Sequence, residues 1–76
     1  MSLREALLAA FNEGHIGNGI EITREDVISF FPNFSPGYTG SFLSNSEMIT
    51  GQHSPTYKHF TIRVRRGVYR IHPTAL

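Results

Sequence analysis

The sequence predicts one small α+β domain, with three helices, a very short strand and a C-terminal β-hairpin. Three observations carry this. Helix-start signals stand at Ser2, Thr23 and Ser35, each ahead of apolar residues at helical spacing. Phe60, Ile62 and Val64 alternate with Thr61, Arg63 and Arg65, the two-residue period of a strand. Arg66-Gly67 then separates that run from Val68-Tyr69-Arg70-Ile71-His72, which is hairpin spacing.

Each element has its own warrant. Ser2 followed by Glu5 is a capping box, in which both side chains satisfy free backbone amides. Leu3, Ala6, Leu7, Ala10 and Phe11 then form one apolar stripe, and Gly14 is a natural stop. The first helix is therefore expected from about residue 2 to 13. Residues 14–19 read as a loop, and Ile20-Glu21-Ile22 as a very short strand. Thr23 is the next N-cap, with Glu25 and Asp26 complementing the helix dipole. Val27, Phe30 and Phe31 make the buried stripe of the second helix, which Pro32 ends.

Ser35-Pro36 pairs a capping hydroxyl with a proline at the first helical position. The third helix should span residues 36–46. Its projection puts Thr39, Phe42, Leu43 and Ser46 on one side and Gly37, Gly40, Ser41 and Ser44 on the other. Tyr38 and Asn45 fall near one edge. Residues 46–56, rich in Ser, Thr, Gly, His and Pro, read as a loop. With Arg66-Gly67 as a two-residue turn, Val64 faces Tyr69 and Ile62 faces Ile71 on an apolar face. Arg65 then meets Val68, Arg63 meets Arg70, and Thr61 meets His72 on the other. Gly67 supplies the positive φ the turn needs, while Arg66 at its first position leaves a bulged turn open.

Length and composition bound the function. A chain of 76 residues is one domain, spanning 1–76, and must draw its core from most of its apolar residues. No cysteine is present, which excludes a disulfide scaffold, a thiolate zinc site and a cysteine nucleophile. No run approaches the length of a membrane span and no signal-peptide pattern opens the chain, so a cytoplasmic protein is expected, with no membrane partner. The net charge of +1 hides an asymmetry. Lys58, Arg63, Arg65, Arg66 and Arg70 cluster near the C-terminus, and no acid follows Glu47. A basic unit on a mildly acidic body suggests an anionic partner.

The order helix, strand, helix, helix, strand, strand is that of a winged helix-turn-helix. Val64-Arg65-Arg66-Gly67-Val68-Tyr69-Arg70-Ile71, with Phe60 upstream, and the capped helix start Thr23-Arg24-Glu25-Asp26-Val27 carry a resemblance. The chain resembles the winged-helix domains joined to restriction endonucleases and related prokaryotic DNA-processing proteins. That resemblance implies a DNA-recognition module of a restriction-type or regulatory system, acting on duplex DNA that in some relatives is modified. It implies a third helix in the major groove, contributing Tyr38, Ser41, Ser44 and Asn45. It implies a wing contributing Arg63, Arg65, Arg66 and Arg70. The third helix of such modules usually carries basic residues, and residues 36–46 carry none.

The residues themselves support the same direction. Four arginines and Lys58 on a short segment can neutralise several phosphates by counterion release. Small residues on the third helix permit close approach to a phosphate ridge, and its N-terminal amides attract phosphate. Asn45 reads either as an adenine contact or as a helix cap. Tyr38 or Phe42 offers an apolar contact to a thymine or methylcytosine methyl group. His15, His53, His59 and His72 match no metal spacing, so neither metal nor cofactor is expected. No nucleophile elbow or carboxylate–lysine cluster is present, so the chain is not expected to be an enzyme, though it can be the non-catalytic part of a nuclease. A monomer or weak dimer is expected. The alternative reading is a winged-helix protein-interaction or dimerisation module without direct DNA contact, which the neutral third helix favours.

Overall fold

The computed structural model describes residues 2–76. Three helices and a three-stranded antiparallel sheet follow in the order α1 (Leu3–Asn12), β1 (Glu21–Thr23), α2 (Arg24–Phe30), α3 (Pro36–Asn45), β2 (Thr61–Arg65) and β3 (Val68–Ile71). A single 3-10 turn, Pro73–Ala75, closes the chain. The sheet order is β1-β3-β2, with β3 in the middle. Helices first and a hairpin last is the layout of a winged helix.

Local chemistry sets the helix starts. The Ser2 hydroxyl accepts the Glu5 amide at 3.2 Å, and the Glu5 carboxylate accepts the Ser2 amide at 3.4 Å. Thr23 and Asp26 repeat the reciprocal box at 3.0 and 2.9 Å, so α2 begins directly at the end of β1. Ser35 caps α3, with Pro36 behind it where no amide is needed. These starts hold α1, β1 and α2 around a core of Leu3, Leu7, Ile22, Val27, Leu43 and Phe60, all nearly inaccessible to solvent.

Three sequence expectations change. The short strand is Glu21–Thr23, one residue later than expected, and Ile20 stands exposed. Phe30 is exposed rather than part of the buried stripe of α2, because the helix ends there and only Val27 points fully inward. The hairpin register is the third. Arg65 pairs with Val68 as expected, but Arg63 pairs with Tyr69, Ile62 with Arg70 and Thr61 with Ile71. Val64 is left over between them as a bulge, and Ile62 and Val64 are exposed.

The cause is a conflict between two anchors. At its start, β2 is locked to the end of α3. The Thr61 hydroxyl donates to the Leu43 carbonyl at 2.8 Å, and the Phe60 and Thr61 amides both donate to the Ser46 carbonyl. Thr61 must therefore face inward, and it is fully buried. At its end, the Gly67 turn fixes Arg65 against Val68; Gly67 has φ +74° and Arg66 does not have positive φ. These anchors differ by one residue, and a bulge absorbs an odd residue by twisting one strand.

Candidate nucleic-acid interface

The exposed arc of α3 lies between two clefts. Gly40 and Ser44, on one edge, face the wing. This cleft is also lined by Arg24 and Glu25 from α2 and by Arg63, Arg66 and Gly67 from the hairpin. Tyr38 and Asn45, on the other edge, line a second cleft with Phe42, Tyr57, Lys58 and Arg4. Ser41 falls between them by helical phase. The Ser41 hydroxyl donates to the Gly37 carbonyl at 2.8 Å and that of Ser44 to the Ser41 carbonyl at 3.1 Å. Both hydroxyls fold back onto the helix, keeping its ridge low.

The wing turn is held in place by backbone. The Arg24 amide, at the first position of α2, donates to the Gly67 carbonyl at 2.9 Å. That amide has no partner within its own helix, so the turn satisfies it. The bond sets Arg66 and Gly67 beside the start of α2 and across the cleft from α3.

Arg24 is the residue that sequence reasoning missed. Its Nε donates to the Gly40 carbonyl at 3.0 Å, so its guanidinium lies across α3. Gly40 makes this possible, since a Cβ there would sit 2.8 Å from Nη2 of Arg24. The third helix carries no base of its own, yet a base from α2 rests on its face. A glycine inside a helix costs roughly 0.5–1 kcal/mol relative to alanine and often marks a close approach. That was the available signal. Nη1 of Arg24 also pairs with Glu25 at 3.0 Å, an exposed pair. Three cations and one carboxylate thus share the cleft.

The bulge divides the arginines of the hairpin. Arg63, opposite Tyr69, joins Arg66 in the wing cleft. Arg70 lies on the outer sheet face, between Glu21 of β1 and Ile62 of β2. Arg65 reaches Glu21 at 3.4 Å. The expected single basic face of the hairpin is therefore two faces. Of the sequence-predicted residues, Ser44, Arg63 and Arg66 meet in one cleft and Tyr38, Asn45 and Lys58 in the other. Arg65 and Arg70 belong to neither.

Among the described residues, no three His, Cys, Asp or Glu side chains gather as a metal site would require. Nor is any of their helices long and apolar enough to cross a membrane. No protein-family model matches the chain, and no curated protein or solved structure matches it either.

Proposed function

We propose that the chain binds double-stranded DNA without covalent chemistry, with α3 in the major groove and the wing cleft on a flanking phosphate strand. The observation that carries this is the meeting of Arg24, Arg63 and Arg66 along the small-residue edge of α3. The major groove is roughly 12 Å wide and admits a helix. A low ridge of Gly37, Gly40, Ser41 and Ser44 lets that helix approach closely, and guanidinium groups beside it meet the groove's rim. The Arg24–Glu25 pair is exposed, and such a pair contributes only about 0–1 kcal/mol, so phosphate can replace the carboxylate. Lys58 and Arg4, on the opposite edge of α3, extend the positive field across the helix. In this reading the protein is a recognition module of a restriction-type or regulatory system rather than an enzyme.

The test is a salt titration of duplex binding by Arg63→Ala/Arg66→Ala. The slope of log affinity against log salt should fall by about 2, with weaker binding and an unchanged melting temperature. An unaltered slope would remove the wing cleft from the interface.

A second reading rests on a different observation. Ile20, Ile62 and Leu76 are exposed and line a groove on the outer sheet face with Phe11. An apolar face of this kind suits a partner protein or a second copy. Such binding would be insensitive to salt, whereas duplex binding weakens steeply with it.

A further inference from the structure

The second cleft differs in kind from the wing cleft. It holds about 320 Å³, and four aromatic residues, Tyr38, Phe42, Tyr57 and Phe60, line it together with Arg4 and Lys58. Tyr38 and Tyr57, 47% and 60% exposed, stand at its edges, and Phe42 and buried Phe60 lie between. The rings are interlocked. Tyr38 and Phe42 meet edge to face at 6.1 Å, and Phe42 and Phe60 meet at a 58° tilt at 6.2 Å. Arg4 fixes the far wall. Its Nε donates to the Tyr57 carbonyl at 2.8 Å, and its guanidinium carbon lies 4.2 Å from the Tyr57 ring centre. Lys58 lines the same space, and no carboxylate does. Among the described residues, neither Arg4 nor Lys58 has a carboxylate within 4.0 Å, and the Asn45 amide makes no hydrogen bond.

We infer that this cleft binds one unstacked nucleotide, its base against the Tyr38 and Tyr57 rings and its phosphate on Arg4 and Lys58. A base inside a duplex shows only its edges, because its neighbours cover both faces. A cleft walled by rings recognises faces, which only an unstacked base offers. The cations without a carboxylate select for an anion attached to that ring. The size fits, since small-molecule sites begin at roughly 300 Å³ and combine aromatic walls with a few polar groups. Asn45 supplies a donor and an acceptor for a base edge, and its position on α3 makes the cleft the neighbour of the proposed duplex site. This inference rests on the duplex reading only for that adjacency.

A fluorescent adenine analogue tests it, placed in a single-stranded oligonucleotide, at one unpaired position of a duplex, and in a fully paired duplex. The expected result is quenching at the single-stranded or the unpaired position, according to which source the cleft takes. Affinity for that oligonucleotide should drop at least about fivefold in Tyr57→Ala, while affinity for the paired duplex is unchanged. Tyr57 is exposed, so the alanine variant should fold, and Tyr57→Phe should keep the quenching. Paired-duplex binding with no tyrosine-dependent signal in either other arm would overturn the cleft and leave the duplex reading standing. Quenching without any paired-duplex binding would do the opposite.

Discussion

Gly67 shows what one residue decides. Its φ of +74° lies where L-residues crowd their own carbonyl, and nothing else stands within 4 Å of the position a Cβ would take. The cost of a side chain there is thus purely conformational. Gly67→Val should lower stability by at least about 1–2 kcal/mol, measured by urea unfolding. A midpoint equal to the parent's would contradict the turn. Glu5 is a residue-scale feature of another kind. Hydrogen bonds from the Ser2 hydroxyl, then from the Ser2 amide, hold its carboxyl below the usual carboxylate range. A group whose folded value is lowered adds stability that is present above the unfolded value. That stability is lost as pH falls through the folded one. Ser2→Ala should therefore flatten the acid limb of melting temperature against pH. Parallel limbs for parent and variant would show that the box contributes nothing there.

At the scale of elements, α3 combines poor intrinsic helicity with a specific use of that weakness. Gly40→Ala should be neutral or stabilise the helix by up to about 1 kcal/mol, because alanine is the better helix former and the displaced group is the mobile end of Arg24. The same change should weaken duplex binding, since the guanidinium can no longer lie on the Gly40 carbonyl. Unfolding and anisotropy measured on one sample check both halves, and intact binding would deny Arg24 its role. The helices were legible because their signals are local: Ser2 with Glu5, Thr23 with Asp26, Ser35 before Pro36. The turn at Gly67 was legible for the same reason. The register of β2 was not. It depends on Thr61 donating to Leu43, a contact between residues 18 apart, and alternation alone favoured burying Ile62 and Val64.

Across the whole molecule, a net charge of +1 coexists with cations on both edges of one neutral helix. Sequence clustering exposed Arg63 and Arg66, but Arg4 and Arg24 lie far from them in the chain, and only folding brings them to α3. Size limits what one molecule can cover. The longest dimension is 34 Å, and B-DNA rises about 3.4 Å per base pair, so one copy should occupy no more than about ten pairs. Stoichiometric titration of duplexes of increasing length should add a second molecule near twice that length. A single symmetric site spanning two turns would instead require a dimer. The odd residue at Val64 has a consequence for how such domains diverge. It makes the placement of charge a matter of counting. With both anchors kept, loss of Ile62 would take up the bulge and put Arg63 opposite Arg70 on the outer face, whereas loss of Val64 itself would leave Arg63 opposite Tyr69. A single-residue gap ahead of Arg63 therefore moves a basic side chain from the helix side of the hairpin to its outer face without changing the number of arginines.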